Sequence, residues 1–265
     1  MEMDHTFVIC AYKESAFLEE CIRSLKAQTM QSKIIAVTHT PSSFLDEMMA
    51  KYEIPLIVNH GEGGITQDWN FGLKQITTRF ATVAHQDDVY EPDYLKTLLP
   101  LLRKAKKPII AFSEYAEIRS GVKTTDVKML KIKRFMLWPL RFRIFWPSRF
   151  VRRRILSMGD PICCPAVTFD LERVERPIFE NNFRCAEDWE AWEKLSRLKG
   201  SFIYIAKPLV CHRIYEESTT SEVIKEGGRI EENYIMFRKF WPAPIARFIN
   251  KFYTKSEDSN NLEKK

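Results

Sequence analysis

The sequence predicts an α/β chain: a Rossmann-like, mostly parallel central sheet flanked by helices, with a helical C-terminal appendage. Three observations lead there. Short apolar runs alternate with helical spacing through the first 117 residues, the rhythm of strand–helix–strand units with right-handed crossovers. One of those runs, Phe80 to Ala84, ends abruptly in His85-Gln86-Asp87-Asp88. After residue 118 the chain changes character, becoming basic and aromatic and then helical.

Thr6 to Ala11 is the first strand, Tyr12 to Ser15 a turn, and Ser15 can cap a helix over 16–28. Ile34 to Val37 and Pro55 to Val58 are the next strands, with a short helix, Phe44 to Tyr52, between them. The loop Asn59 to Gly64 is glycine-rich and precedes a helix over 66–77 with Trp69, Leu73 and Ile76 on one face. Such a loop can hold phosphate through backbone N–H groups, although it matches neither a P-loop nor GxGxxG.

Phe80 to Ala84 reads as a buried parallel strand. Adjacent carboxylates at its end are costly without a positive partner, and ligands of open α/β sheets bind beyond the strands' carboxyl ends. Asp87 and Asp88 therefore stand where a metal or cationic group is expected. The simpler account makes them solvated caps of the helix over 93–104 that Pro92 opens. A strand at Ile109 to Ser113, continuing to Glu117, completes a nucleotide-binding type of half.

Residues 128–156 read as two short basic amphipathic helices separated by a break at Pro139 and Pro147. Ten Lys or Arg and no Asp or Glu lie between Val127 and Gly159. These helices suit either the interface of an anionic membrane or packing on the sheet with the charges solvated. Nucleic-acid binding lacks any accompanying motif. A Pro-bounded turn at Gly159 leads to a strand ending at Phe169. Glu187 and Asp188 begin an amphipathic helix within 183–198, where acids also complement the helix dipole. Strands at Phe202 to Ile205 and Leu209 to Ile214 follow. A helix over 229–241 places Ile230, Tyr234, Phe237 and Phe240 inside, and Ile245 to Tyr253 forms a last aromatic-basic helix before a polar tail.

The 265 residues allow one large domain, with a net charge of +6 that is only mildly basic. The expected division is one domain over 1–220, made of a nucleotide-binding type of half (1–117) and a second half (118–220) that carries the basic aromatic insertion 128–156, plus a helical extension and polar tail over 221–265. Six cysteines show neither zinc spacing nor a disulfide framework and are expected to be buried thiols of a reducing, cytoplasmic location. No apolar run reaches the ~18–20 residues needed to span a bilayer, and no signal-peptide apolar region is visible.

Taken together, FVICAYKES, GGITQDWNFGL, AHQDDVYEP, GDPICCPAV, CAEDWEAW and HRIYEESTTS, in that order, resemble the family 2 glycosyltransferases of bacterial surface-polysaccharide type. The resemblance covers roughly residues 5–220 and implies the A-type glycosyltransferase fold and an inverting transfer from a nucleotide-diphospho-sugar. It implies Asp188 as general base with Glu187 beside it, Asp87 as a metal ligand, and Asp88 on the donor's sugar or ribose. Ala11, Tyr12, Glu14 and Asn70 would line the nucleotide pocket, and Arg213 would meet the diphosphate. The implied cofactor is Mn²⁺ or Mg²⁺ with a UDP- or dTDP-linked donor; the acceptor is a glycan or lipid-linked saccharide hydroxyl at the inner face of the membrane, and nucleic acid is not a partner.

Departures from the family pattern bear on the site. His85 stands at the first Asp of Asp-x-Asp and can ligate a transition metal, and His212 precedes Arg213 where the family's late histidine falls at Tyr215. Lys13 replaces an Asn, and the second strand ends in Val37-Thr38-His39 without an Asp. These changes motivate an alternative, a non-catalytic nucleotide-sugar-binding relative acting as a scaffold in glycan assembly. A nucleotidyltransferase is a third possibility on fold alone.

Overall fold

The computed structural model describes residues 3–215 and 228–257. Its first strands are β1 (His5–Cys10), β2 (Lys33–Thr38), β3 (Leu56–Val58) and β4 (Phe80–His85), joined by helices α1 (Leu18–Lys26), α2 (Ser43–Lys51) and α3 (Ile65–Lys74). They pair in parallel in the order β3-β2-β1-β4. After β5 (Val89–Tyr90) and α4 (Tyr94–Lys104) come β6 (Pro108–Arg119) and β7 (Val122–Thr124). The basic segment follows as α5 (Lys128–Leu137), two 3₁₀ turns and α6 (Arg149–Leu156). The chain re-enters the sheet as β8 (Val167–Asp170), antiparallel to both β4 and β6. Helix α7 (Glu187–Ser196), strand β9 (Ser201–Ile214), and helices α8 (Gly228–Arg238) and α9 (Ala243–Glu257) complete the described chain.

The fold is the mixed α/β architecture expected, and alternation along the strands explains its layers. Phe7 and Ile9 point to one apolar cluster, with Leu18, Ile22, Leu95 and Leu98 of α1 and α4. Val8 and Val83 point to the other, with Trp69 and Leu73 of α3, Trp189 and Trp192 of α7, and Phe237 of α8. On the α1/α4 side of the sheet runs a chain of paired polar groups. His5 Nε2 pairs with Thr82 Oγ1 (3.0 Å), Thr82 with Thr168 (2.7 Å), and the Tyr94 hydroxyl with Thr168 (3.0 Å).

Several local expectations are adjusted. The strand expected from Ile109 and continuing to Glu117 runs from Pro108 to Arg119, with β9 paired along its length in parallel. Ile230 is half exposed, and Met236 takes the buried place expected of it. Cys10 and Cys185 are only partly buried, while the other four free thiols are buried. Leu130, Leu137, Leu140 and Leu156 of the basic segment pack inside, yet Phe135, Ile144 and Phe150 are 81%, 77% and 74% exposed. The segment thus packs on the sheet through its leucines and keeps a face of exposed aromatic rings. From Glu216 onward the HRIYEESTTS motif lies outside the described residues, as do residues 258–265 of the polar tail.

Candidate active site

The carboxyl ends of β1, β2, β3 and β4 share one edge of the sheet, because these strands are parallel. β8 is antiparallel to β4, so the turn that enters it, through Asp160 and Cys163, arrives at that same edge. β5 pairs with β9 with Val89 opposite Cys211, which sets His212 and Arg213 beside Asp88. The edge therefore collects residues from distant parts of the chain.

Asp88 is fully buried and accepts three contacts. Its Oδ1 takes the Arg213 backbone N–H (3.0 Å) and lies 3.0 Å from His212 Nδ1, while Oδ2 is 3.7 Å from His85 Nδ1. Burial alone would raise the Asp88 pKa, but His212 and His85 outweigh it and hold the carboxyl below its ordinary value. Burial likewise opposes charge on His212, and Asp88 more than offsets this, raising the imidazole to about 9. Asp87 moves the other way, raised by burial and by the neighbouring Asp88 charge, while the Tyr215 hydroxyl donates to it. Arg213 is buried over the Phe17 ring (4.2 Å); its Nε donates to the Asp87 carbonyl (3.0 Å) and its Nη2 to Glu20 (2.5 Å).

His85, Asp87 and Asp88 offer ligand atoms within 4.8 Å of one another. His85 Nε2 and Asp88 Oδ2 are buried without a hydrogen-bond partner, an arrangement that fits a cation ligand set. The mixed imidazole and carboxylate donors suit Mn²⁺ better than Mg²⁺. Trp69 stacks on His85 (5.1 Å between rings, 13° apart) and fixes its plane. His212 is not in this group; it lies against the other oxygen of Asp88.

At the β1 end, Ala11 is buried and its N–H donates to Val37 O (2.9 Å). Gln86 clasps the Tyr12 backbone at both N (2.9 Å) and O (3.0 Å), leaving the ring half exposed, 5.5 Å from that of His39. Lys13, at φ 53°, lays its ammonium 4.8 Å over the Tyr12 ring. Glu14 is exposed. His39 Nδ1 bonds the buried Asp68 carboxylate, whose other oxygen takes Asn59 Nδ2 (2.8 Å). Gly63 admits the His39 ring: a Cβ there would fall 2.4 Å from His39 Cδ2. Asn70 departs from the expectation that it lines this pocket. Its Oδ1 accepts from Ile178 N (3.1 Å) and Phe179 N (3.2 Å), and its Nδ2 donates to Phe179 O (2.8 Å), so the amide is committed to a loop.

Glu187 and Asp188 open α7. Glu187 Oε2 is buried without a partner, and burial, then the Asp188 charge, raise its pKa to about 8. Asp188 Oδ1 accepts the Trp189 N–H (2.7 Å). The buried thiol of Cys163, in the turn that enters β8, is raised by burial, with the Asp88, Asp188 and Asp160 charges adding to it and Lys133 opposing it. Glu20, Trp69 and Gln86 were not singled out as site residues. Trp69 and Gln86 lie within the quoted motifs, whereas Glu20 carries no local motif and meets the site only through Arg213.

Comparison with known proteins gives a consistent answer. The family described as glycosyltransferase-like family 2 matches residues 4–230. An uncharacterised glycosyltransferase of Haemophilus influenzae is 24% identical over 229 residues, covering 81% of this chain and 66% of the relative, so the chain spans about two thirds of that protein. Uncharacterised glycosyltransferase RP339 of Rickettsia prowazekii is 23% identical over 88% of this chain and 71% of its own. Among solved structures, Staphylococcus aureus TarS 1–349 in complex with UDP-GlcNAc has a TM-score of 0.62 at 16% identity, over 94% of this chain and 70% of that one. The mannosyltransferase PcManGT of Pyrobaculum calidifontis, in complex with GDP-Man and Mn²⁺, has a TM-score of 0.62 at 13% identity, over 96% and 70%.

Proposed function

The chain belongs to the glycosyltransferase-like family 2 proteins, and from that premise we propose an inverting transferase that moves a sugar from a nucleotide diphosphate to a hydroxyl of a glycan or lipid-linked saccharide. The observation that carries it is a pair of acidic groups: His85, Asp87 and Asp88, with ligand atoms within 4.8 Å of one another at the end of β4, and Glu187 and Asp188 opening α7, with Glu187 Oε2 buried and unpartnered. One group, His85, Asp87 and Asp88, would hold a divalent cation. When bound, that cation supplies positive charge to the departing diphosphate. The other, Asp188 with Glu187, supplies the carboxylate that a general base needs.

In this reaction Asp188 takes the proton of the acceptor hydroxyl as its oxygen bonds to the anomeric carbon from the face opposite the leaving group. The bond between that carbon and the phosphate oxygen breaks, and one displacement inverts the configuration. Arg213, fixed by the Asp87 carbonyl and Glu20, would turn its guanidinium to the diphosphate. Tyr12 and Ala11 would flank the base, with Glu14 and Asp88 on the ribose side. His39 adds a selective contact. Its Nδ1 is held by Asp68, and its ring stands 5.5 Å from that of Tyr12, beside the proposed base pocket. UDP- or dTDP-linked donors are the proposed substrates, as the family resemblance implies. The TarS complex with UDP-GlcNAc and the PcManGT complex with Mn²⁺ support a nucleotide-sugar and a metal in this fold.

No helix among the described residues is long and apolar enough to cross a membrane. The exposed rings of Trp138 and Phe142, in edge contact at 5.3 Å, with Phe135 and Phe150 among basic residues, support peripheral contact with anionic lipid. A role in cell-surface polysaccharide synthesis agrees with such a surface. The test is release of nucleoside diphosphate from a donor panel with Mn²⁺ and saccharide acceptors. Asp188→Asn should lower turnover by at least ~10³-fold while folding normally. Wild-type turnover in that variant would remove Asp188 as the base.

A further inference from the structure

Helix α7 starts without a side-chain cap, because Ala186, just ahead of it, carries no acceptor for the first N–H groups. The loop that leads into it is held by another element. Glu232, near the start of α8, turns its carboxylate to the backbone of that loop. Its Oε1 accepts the Arg184 N–H (2.8 Å), and its Oε2 accepts the Cys185 N–H (3.0 Å) and the Cys185 thiol (3.2 Å). Two successive N–H groups aimed at one carboxylate make an anion nest, and such charge-assisted bonds are stronger than those between neutral groups.

Helix α8 is in turn fixed on α7. Met236, one turn after Glu232 on the same face, is fully buried, and the Phe237 ring meets that of Trp189 edge-on at 5.0 Å. Lys239 Nζ donates to Glu190 (2.6 Å), whose two carboxylate oxygens also accept Asn182 Nδ2 (3.2 and 3.1 Å). The same ammonium stands 5.7 Å from the Phe183 ring. From α9, Asn250 Nδ2 donates to the Ile230 carbonyl (3.0 Å). Each residue from Asn182 to Cys185 is thus tied to α8, directly or through Glu190. Two residues further on, the chain presents Glu187 and Asp188.

We propose that Glu232 is a positioning residue for Glu187 and Asp188: by anchoring the backbone of Arg184 and Cys185 it fixes where α7 starts, and so where the Asp188 carboxylate stands. This rests on Asp188 being the base. It also makes α8, within the C-terminal extension, a working part of the site. Met236 and Phe237 supply the apolar seat of α8, whereas both oxygens of Glu232 face the loop. A general base must sit within hydrogen-bond reach of the proton it takes, so a loosened loop misplaces it.

Amide hydrogen exchange of the full chain, followed by NMR without nucleotide or metal, tests the anchor without requiring turnover. In Glu232→Ala the Arg184 and Cys185 amides should exchange at least ~10-fold faster than in wild type, and the Trp189 amide, which donates to Asp188 Oδ1 at 2.7 Å, should follow. Glu232→Gln keeps one acceptor oxygen and should lie between the two. Glu231→Ala removes an exposed carboxylate from the same helix and should leave all three amides unchanged. Burial, then the Glu232 carboxylate, raise the Cys185 thiol, so iodoacetamide should modify Cys185 faster in Glu232→Gln than in wild type, with the partly buried Cys10 as internal reference. Unchanged exchange at Arg184 and Cys185 in Glu232→Ala overturns the proposal, as does faster exchange there with no change at Trp189.

With UDP-GlcNAc and Mn²⁺ as the probe and UDP release as the readout, Glu232→Ala should lower kcat ~10–10²-fold while the donor KM stays within ~2-fold, and Glu232→Gln should recover most of the loss. General damage to the fold would move the donor KM as well. Wild-type kcat in Glu232→Ala beside an inactive Asp188→Asn removes the positioning role and leaves Asp188 as the base. Normal turnover in Asp188→Asn removes the catalytic reading and the positioning role with it, even where the exchange data show the anchor.

Discussion

His5 and Glu187 are buried groups whose protons pull stability in opposite directions. His5 opens β1 with hydroxyl partners, Ser32 and Thr82, at both ring nitrogens, and burial lowers its pKa to about 3. An unfolded histidine titrates near 6.5, so below that pH the unfolded chain gains a proton the folded chain refuses. Stability from this residue is therefore intact above 6.5 and falls by ~1.4 kcal/mol per pH unit down to about 3. Glu187, raised to about 8, keeps its proton between its unfolded value of 4.5 and 8 when the unfolded chain does not. Its contribution falls as pH rises across that window, at a limiting slope of the same size. Urea titrations of the metal-free protein should show Glu187→Gln more stable than wild type at pH 8 by ~1–3 kcal/mol and nearly equal at pH 4.5. His5→Gln should flatten the decline between pH 6 and 4.5. A Glu187→Gln protein no more stable at pH 8 would mean that its carboxyl is solvated or paired there. The residue that costs stability is also the one beside the proposed base, as expected where a site is built for chemistry rather than for folding.

The basic segment shows how an element with no acidic residue is anchored. Arg152 of α6 is 1% exposed and donates to Ser196 O (2.9 Å), Gly200 O (2.6 Å) and Leu198 O, the carbonyls at and beyond the end of α7, while stacking 4.7 Å from the Phe202 ring. Burial lowers its pKa to about 10, still charged at neutrality. Arg152→Met would leave three carbonyls without donors, at a cost of ~3–5 kcal/mol, seen as a lower urea midpoint. Arg143 and Arg149 of the same segment are exposed, so Arg143→Gln with Arg149→Gln should leave the midpoint unchanged and weaken pelleting with anionic vesicles. Equal recovery in the supernatant with and without anionic lipid, for wild type, would remove the membrane contact. The alternation of Arg with aromatics made two broken helices legible in the sequence, but not which Arg turns inward, because Arg152, Arg153 and Arg154 differ only in the face that α7 meets. The same limit applies at the site. His85-Gln86-Asp87-Asp88 was legible because an apolar run ends in acids within one stretch. Glu20 was not, since it reaches Arg213 only after β9 pairs with β5 beside α1.

The whole molecule couples ligand to fold through one sheet edge, since the base pocket, the acid cluster and α7 are separate segments that only the complete sheet aligns. A nucleotide that binds the folded chain alone raises its stability by mass action, ~2.7 kcal/mol at one hundred times its Kd. The His85–Asp87–Asp88 group concentrates carboxylate charge where a diphosphate would sit, so nucleotide alone should bind poorly and Mn²⁺ should make binding favourable. His39, whose ring stands 5.5 Å from that of Tyr12, is the proposed contact to the base. In a thermal-shift panel with Mn²⁺, UDP and dTDP should raise the melting temperature more than CDP and ADP. A shift with GDP equal to that with UDP would mean that the ring at Tyr12 admits purines. His39→Phe should narrow the gap between UDP and CDP by up to ~1.4 kcal/mol in binding free energy, a tenfold change in Kd, while leaving the Mn²⁺ requirement intact. An Asp87→Asn protein should show the reverse, with base preference kept and metal dependence lost. If both variants lost both properties together, the base pocket and the acid cluster would not be separable parts, and the nucleotide would be held by a site assembled only as a whole.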